Sequence, residues 1–251
     1  MMSQAVLPDT TLAMIVRDER ENPAGGIERF LNFALPHVEA AVIVDTGSID
    51  GTWEILQRYA EKCPYLRLFQ REWDGFAPSR NFSLSQVKTR KALVMDADEW
   101  LDHEDYDVMA QFMSNNPGRG YWFTFHEVYP DGTQLHTILN SINPRIFDVE
   151  GIKFRPGPTF GMWEDISSEF FEDESALYAP VEIKHFRPSK SALQLKKQNW
   201  YEKGEFLTMS PLEAAKRDGW KQENGGIYVL TNRRVSHKPI PYTAFPANRT
   251  L

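Results

Sequence analysis

The chain has 251 residues, of which 41% are hydrophobic and 25% are charged, as is ordinary for a globular protein. A chain of this length buries a core without disulfide bridges. Its formal net charge of −7 argues against general nucleic-acid binding, which needs an excess of Lys and Arg. The net charge does not exclude a local basic groove.

The front half of the chain alternates short apolar runs with amphipathic segments. Strands are predicted at residues 12–16, 41–44, 66–69 and 92–95, and helices at residues 26–35, from residue 50 onwards and at residues 79–86. Continuous apolar strands that alternate with helices indicate an α/β fold with a largely parallel sheet. In such sheets ligands bind at the carboxyl ends of the strands, and Asp45 and Asp96 directly follow the second and fourth strands.

The back half carries different signals. Strands are predicted at residues 120–125, 142–148 and 181–186, and residues 155–169 are predicted to be a long loop-rich stretch. Helices are predicted at residues 191–203 and after Ser210, and the Pro-rich residues 237–251 predict an irregular tail. No repeat or flexible linker interrupts the pattern, so we expect one domain.

Cysteine content and hydropathy bear on location. Cys63 is the single cysteine of the sequence, which excludes an intramolecular disulfide and a Cys-based zinc site. The sequence begins without the basic segment and apolar run of a signal peptide, and no apolar run is long enough to cross a bilayer. We therefore expect a cytoplasmic protein, with peripheral contact at the inner membrane face left open.

The segment Asp96-Ala-Asp98-Glu99 is the strongest local signal for chemistry. Carboxylates are suitable ligands for Mg²⁺ or Mn²⁺, and a spacing of two in an extended segment lets Asp96 and Asp98 face the same way. A metal held there would bridge two phosphates and neutralise a departing diphosphate. The competing interpretation is a solvated turn, but the position after a buried strand favours a metal site.

Three sequence blocks occur in one order: VDTGSIDGTWEIL at residues 44–56, REWDGFAPSRNFSL at 71–84 and ALVMDADEWL at 92–101. Together they resemble the family 2 glycosyltransferases with the GT-A fold, and among these the short bacterial enzymes of lipopolysaccharide-core assembly. The resemblance is strong over residues 12–101 and weaker to about residue 201. It implies a single Rossmann-like GT-A domain with a nucleotide-sugar-binding half at about residues 10–101, an acceptor half at about 102–190, and C-terminal helices with an irregular tail at about 191–251.

The resemblance also implies a donor nucleotide site. Glu19 matches a contact to the ribose or base, although Asp18 replaces the Asn that precedes it in the family. Asp45 matches the carboxylate that receives a base N–H, which suits uracil because its ring N–H is a donor. The remaining donor-binding residues that we infer are Arg80 and Asn81, which are predicted to open the helix that holds the phosphates, and Asp96 and Ala97.

Metal and catalytic residues follow from the same resemblance. Asp98, Asp96 and His185 are the predicted ligands of Mn²⁺ or Mg²⁺. Glu164 is the predicted catalytic base for an inverting displacement, with Asp165 as second choice. Members of the similar group carry a His-Glu pair there, whereas Trp163 precedes Glu164 in this sequence.

Several functions stay open at this point. The resemblance favours transfer of a sugar from a nucleotide-diphosphate donor, with a UDP-sugar expected, to the hydroxyl of a bacterial surface glycan. The alternatives are transfer to a modified nucleobase of phage DNA, a nucleotidyltransferase, and a non-catalytic nucleotide-sugar or carbohydrate-binding module. A nucleotidyltransferase would carry a Gly-rich basic loop after the first strand, and residues 17–26, RDERENPAGG, match such a loop poorly.

Overall fold

The structure is a computed structural model, and it describes residues 6–129, 134–137, 144–156, 164–166, 176–187, 220–223 and 227–230. One sheet of eleven strands runs through this part of the chain. Its strands are β1 (Thr10–Val16), β2 (Ala40–Asp45), β3 (Leu66–Gln70), β4 (Lys91–Leu93), β5 (Glu99–Trp100), β6 (Gly120–Val128), β7 (Gln134–Thr137), β8 (Ile146–Asp148), β11 (Ala176–Phe186), β12 (Trp220–Glu223) and β13 (Ile227–Leu230). A separate antiparallel pair consists of β9 (Phe154–Pro156) and β10 (Glu164–Ile166).

The front half of the sheet is entirely parallel, in the order β4-β1-β2-β3. Val16 pairs with Asp45 at the last position of the register between β1 and β2. The carboxyl ends of these strands therefore meet at one edge, where the sequence predicts a ligand site.

Helices cover both faces of this parallel sheet. They are α1 (Gly26–Ala34), α2 (Thr52–Ala60), α3 (Phe76–Ser85) and α4 (His103–Asn115). Along β1, Leu12 and Met14 belong to the core shared with α1, α2 and α4, whereas Ala13 lies in the smaller core against α3. Successive strand residues point to opposite faces, so a strand covered on both sides is apolar throughout, as predicted.

The back half of the sheet is mixed. β8 runs antiparallel to both β4 and β6, and β11 runs parallel to β6 and antiparallel to β5. In this arrangement His185 of β11 stands opposite Glu99 of β5 on one side and Glu127 of β6 on the other. Three residues that are far apart in sequence therefore occupy one row of the sheet.

Aspartate side chains mark the starts of α4 and α2. Asp102 accepts a hydrogen bond from the backbone N of Asp105 at 3.0 Å, and the Asp105 carboxylate accepts one from the backbone N of Asp102 at 3.2 Å. This capping box starts α4. Asp50, predicted to cap α2, lies one residue before the cap position Gly51 and accepts from the backbone N of Thr52 at 2.9 Å.

Three sequence predictions need correction. Residues 155–169 were predicted to be loop-rich, but those of them that the structure describes belong to the antiparallel strands β9 and β10. α3 begins at Phe76, three residues earlier than predicted, because Gly75 at φ 118° provides the turn into the helix. Arg80 and Asn81 therefore lie in its second turn and do not open it. The segment predicted as helices and irregular tail contains β12 and β13, which form an antiparallel pair joined to β7. The predicted helix at 191–203 and the tail at 237–251 lie outside the described residues.

Candidate active site

Asp45 ends β2 at the edge where the parallel strands terminate. Its side chain is fully buried, and Oδ1 accepts hydrogen bonds from the backbone N–H groups of Gly47 and Ser48, both at 3.0 Å. Oδ2 has no hydrogen-bond partner within the described part of the chain. A buried carboxylate oxygen without a partner is unfavourable, so this atom is suited to receive an N–H donor from a ligand.

Asp18 holds the loop that follows Asp45. Its carboxylate accepts from the backbone N of Ile49 at 2.8 Å, and its own backbone N donates to Ser48 Oγ at 2.9 Å. The residue has a φ of 54°, the left-handed region that Asp adopts more readily than most residues. Asp18 therefore holds the loop between β2 and α2 in place through two hydrogen bonds.

Glu19 is buried and is linked to the Asp96–Glu99 turn through Asn22. Its carboxylate accepts a hydrogen bond from Asn22 Nδ2 at 3.0 Å, and the same nitrogen donates to the carbonyl oxygen of Ala97 at 2.8 Å. Glu19 and Ala97, two residues predicted to bind the donor, are thus joined by Asn22. Sequence reasoning missed Asn22, because its partners are not visible in the local pattern.

The Asp96–Glu99 turn is closed by its own hydrogen bonds. Glu99 Oε2 accepts from the backbone N of Asp96 at 2.9 Å, and the Asp96 carbonyl accepts from the backbone N of Glu99 at 3.0 Å. Glu99 is fully buried and forms an ion pair with Arg145. Burial raises the pKa of Glu99 to about 7, against the opposing influence of Arg145. Glu99 therefore fixes the turn and is not presented to a ligand.

Asp98 and His185 face each other across this turn. His185 Nε2 lies 3.8 Å from Asp98 Oδ2, and the Asp98 carbonyl accepts from the backbone N of Phe186 at 2.9 Å. Burial and Arg187 oppose the charged form of His185, but Glu127 and Asp98 raise its pKa to about 9. The pairing tethers Asp98 to β11.

Glu127 stands behind His185 and was not anticipated from the sequence. Its Oε1 lies 3.2 Å from His185 Nδ1, and its Oε2 lies 2.5 Å from Arg187 Nε. Burial opposes ionisation of Glu127, but Arg187 and His185 lower its pKa to about 2. Alternation of side chains predicts which residues share a face within β6 and within β11. It does not reveal that the two strands are neighbours, so the sequence alone could not bring Glu127 and His185 together.

A divalent cation fits part of the predicted ligand set. Ligand atoms stand about 2.1 Å from Mg²⁺, so Asp98 Oδ2 and His185 Nε2 at 3.8 Å can contact the same ion. Within the described ranges, however, no group of three His, Cys, Asp or Glu side chains is placed to hold a metal. Asp96 is turned to Arg80, with which it forms an ion pair. The three-ligand set of Asp96, Asp98 and His185 is therefore not preformed.

Arg80 and Asn81 have protein partners. Arg80 is buried and pairs with Asp96, whose side chain is 41% exposed. The Asn81 amide donates to the carbonyl of Phe154 at 2.9 Å and accepts from the Phe154 backbone N at 2.7 Å. Asn81 thus ties α3 to β9, and the structure gives its predicted phosphate contact no support. The helix-terminus argument for Arg80 also fails, because the residue lies in the second turn.

The predicted base residues lie on the short strand β10. Glu164 pairs with Pro156 and Asp165 with Arg155 in the antiparallel ladder with β9. The Asn81 bonds to Phe154 place this strand pair beside α3, the helix that carries Arg80. The backbone of Glu164 therefore lies in the strand pair beside α3, while its neighbour Trp163 lies outside the described residues.

Comparison with known proteins defines the class of protein. The family model described as glycosyl transferase family 2 matches residues 14–173. This is more than half of the chain, and the chain therefore belongs to glycosyl transferase family 2.

Two curated relatives are similar over shorter stretches. The lipopolysaccharide core biosynthesis glycosyltransferase LpsC of Rhizobium meliloti strain 1021 is 33% identical over 73 residues, which cover 29% of this chain and 27% of that protein. The cholesterol galactosyltransferase of Borreliella burgdorferi is 28% identical over 68 residues, which cover 27% of this chain and 19% of that protein. The matched stretches thus span only about a quarter and a fifth of these relatives.

Solved structures confirm the predicted fold. Residues 1–349 of S. aureus TarS in complex with UDP-GlcNAc superimpose with a TM-score of 0.54 at 14% identity, covering 79% of this chain and 68% of that one. The complex of the same protein with UDP gives a TM-score of 0.53 at 15% identity, with 79% and 67% covered. The chain has the GT-A fold. Within the described residues, no helix is long and apolar enough to cross a membrane.

Proposed function

We propose that this protein transfers a sugar from a UDP-sugar to the hydroxyl of an acceptor. The observation that carries the proposal is the buried Oδ2 of Asp45, which has no hydrogen-bond partner in the described part of the chain. The ring N3–H of uracil is a donor and would satisfy this atom, whereas N3 of cytosine is an acceptor and would meet it with repulsion. Glu19, buried near the same edge, is the second proposed contact to the nucleoside.

Asp98 and His185 are the proposed holders of Mn²⁺ or Mg²⁺. The carboxylate oxygen of Asp98 is a suitable ligand for Mn²⁺ or Mg²⁺. When bound, such a cation neutralises charge on the diphosphate of the donor. Arg80 forms an ion pair with Asp96, and we propose that the Arg80 guanidinium also binds the diphosphate beside the cation.

Glu164 is the proposed catalytic base. The acceptor hydroxyl attacks the anomeric carbon, the bond from that carbon to the diphosphate oxygen breaks, and the hydroxyl proton passes to the Glu164 carboxylate. The products are the glycosylated acceptor with inverted configuration and UDP. Asp165 is the alternative base, because it neighbours Glu164 on β10.

A bacterial surface glycan is the proposed acceptor. The support is the similarity to LpsC, whose name refers to lipopolysaccharide core biosynthesis. The second similar protein is named as a cholesterol galactosyltransferase, and an acceptor screen should therefore include a lipid alcohol beside oligosaccharides.

Thermal unfolding with UDP, GDP and CDP, each with and without Mn²⁺, tests the proposal directly. A ligand at a hundred times its Kd adds about 2.7 kcal/mol, which raises the melting temperature of a domain of this size by roughly 5–11 °C. We expect UDP with Mn²⁺ to stabilise the protein most and CDP least. Asp98→Asn should remove the contribution of Mn²⁺, while the matched change Asp107→Asn on α4 should not.

If none of the three nucleotides raises the melting temperature with or without Mn²⁺, the proposal of a UDP-sugar donor is refuted. If UDP binds but no sugar or acceptor supports turnover, the non-catalytic binding module becomes the better description.

A further inference from the structure

Asn22 uses both ends of its side-chain amide. Nδ2 donates to Glu19 Oε2 at 3.0 Å and to the Ala97 carbonyl at 2.8 Å. Oδ1 accepts from the backbone N–H groups of Ala24 at 2.9 Å and Gly26 at 2.8 Å. These are the four hydrogen bonds that an Asn amide is able to make with two donor hydrogens and two lone pairs.

The chemistry of its partners determines the orientation of this amide. Backbone N–H groups only donate, and a carbonyl or an ionised carboxylate only accepts. A flipped Asn22 would place its NH₂ group against the N–H groups of Ala24 and Gly26 and its oxygen against two acceptors. The observed orientation is therefore the only one that satisfies all four contacts.

The two donor contacts join separate parts of the site. Glu19 follows β1 on the proposed nucleoside side, and Ala97 lies between Asp96 and Asp98 in the turn next to the proposed cation. The rest of this turn is held from other directions, by Glu99 at Asp96 and by the Phe186 backbone N at Asp98. Asn22 is thus the direct hydrogen-bonded link between the Glu19 carboxylate and the middle of the turn.

The loop that carries Asn22 is packed tightly against its own backbone. Gly26 has a φ of 84°, and a Cβ there would lie 2.3 Å from the carbonyl oxygen of Arg20. The backbone N of Ile27 donates to the Glu19 carbonyl at 2.8 Å. Glu19 and Asn22 therefore belong to one closed loop, and the bond from Asn22 to the Ala97 carbonyl connects this loop to the turn.

We propose that Asn22 is a positioning residue that couples nucleoside binding to divalent-cation binding. The inference rests on the proposed function, because it assumes that both ligands bind at this edge. A ligand on the Glu19 side restrains the Glu19 carboxylate and, through the Asn22 amide, the turn that carries Asp98, so that this turn is then already arranged for the cation. Ordering that one ligand has produced need not be produced again for the second, so the coupling is positive.

Uridine is the probe that isolates this coupling. UDP contacts a cation directly through its phosphates, so its cooperativity with Mn²⁺ needs no link through the protein. Uridine has no phosphate and affects Mn²⁺ affinity only through the protein. In the unmodified protein we expect saturating uridine to tighten Mn²⁺ binding, measured by calorimetry, by about fivefold or more.

Asn22→Asp is the decisive variant. It keeps an oxygen for the N–H groups of Ala24 and Gly26 but replaces the donor to Glu19 and Ala97 with an acceptor. We expect the uridine effect on Mn²⁺ affinity to fall to within about twofold of unity, while cooperativity between UDP and Mn²⁺ persists. Asn22→Ser, which lacks the amide donor, should behave in the same way and serves if Asn22→Asp does not fold.

Asn32→Asp is the matched control. Asn32 lies on α1, where its Oδ1 accepts the Tyr59 hydroxyl at 2.7 Å, an interaction that Asp retains. This variant should keep the full uridine effect. If folded Asn22→Asp or Asn22→Ser keeps the full uridine effect, the coupling role of Asn22 is overturned and the proposed function stands. The same conclusion follows if the unmodified protein binds UDP and Mn²⁺ but shows no uridine effect. Absence of UDP binding itself would overturn the proposed function as well.

Discussion

Glu127 Oε1 lies 3.2 Å from His185 Nδ1, across the neighbouring parallel strands β6 and β11. The opposite ring nitrogen, Nε2, points to Asp98 at 3.8 Å. A histidine that binds a metal characteristically gives its other ring N–H to a carboxylate, which fixes the orientation of the ring. Glu127 thus occupies the position that the outer carboxylate partner would have if His185 holds the cation as proposed.

Replacement of Glu127 should therefore weaken cation binding. We expect Glu127→Ala to lower Mn²⁺ affinity by about 10-fold to 100-fold, measured by calorimetry, because the His185 ring loses its support. Glu127→Gln retains an acceptor oxygen and should recover most of the affinity. The control is Glu182→Gln, which changes a carboxylate that bonds Thr124 across the same two strands. Equal affinities in all three variants would contradict the role of Glu127.

Asp45→Asn should change the preference for the base. The Asn oxygen stays on the N–H groups of Gly47 and Ser48, so its NH₂ group takes the place of Oδ2 and becomes a donor. The preference for UDP over CDP, measured as a ratio of Kd values, should fall by about tenfold or more. Asp50→Asn in the same loop should leave the ratio unchanged. A ratio that survives Asp45→Asn would show that Asp45 does not contact the base.

Glu164→Gln should abolish transfer without abolishing donor binding. The amide does not accept the acceptor proton, so we expect kcat to fall by about 100-fold to 10,000-fold. The Kd for UDP in the presence of Mn²⁺ should change by less than about threefold, since the proposed nucleotide contacts lie elsewhere. Asp165→Asn is the matched variant on β10. If Asp165→Asn loses turnover and Glu164→Gln retains it, the assignments of the two residues are exchanged.

Asp105 should give a pH-dependent contribution to stability. Burial raises its pKa from 3.8 to about 6, in the capping box with Asp102 and near Lys184. Because the folded-state value is the higher one, the contribution is fully present below about pH 4 and is lost as the pH rises through about 6. The measured quantity is the unfolding free energy of Asp105→Asn minus that of the unmodified protein. After allowance for solvent screening, this difference should be about 1–2 kcal/mol larger at pH 7 than at pH 4.

Chemical unfolding at several pH values measures this effect. The variant keeps a side-chain oxygen for the backbone N of Asp102, so the helix cap is preserved. Asp107→Asn on the exposed part of α4 is the control and should show no comparable trend. A difference in unfolding free energy that is constant from pH 4 to pH 7 would contradict the raised pKa of Asp105.

Asn81→Ala should act on stability and not on the donor. It removes both hydrogen bonds to Phe154 and leaves two backbone groups without their partner, which costs about 1–3 kcal/mol in unfolding free energy. The Kd for UDP should change by less than about twofold. Asn32→Ala on the surface of α1 should have a smaller effect on stability. A large loss of UDP affinity with unchanged stability would instead restore Asn81 to the donor site.

Local patterns were sufficient for the front half of the fold. Apolar runs of strand length, separated by amphipathic segments, predicted β1 to β4 and α1 to α3 in the right order, with errors at their ends. Alternation of strands and helices then implied parallel strands whose carboxyl ends share one edge, and that implication placed Asp45 and the Asp96–Glu99 turn together. Each of these inferences depends on residues close in sequence, where periodicity carries the information.

The partners of those residues were decided by the tertiary structure. Asp96 and Asp98 are two residues apart, yet Asp96 is paired with Arg80 and Asp98 faces His185. The sequence by itself determined which carboxylates stand at the sheet edge. Only the packing of α3 and β11 against that edge determined which charge each one meets, because an ion pair between distant segments depends on how the sheet is assembled and leaves no mark on the spacing within either segment.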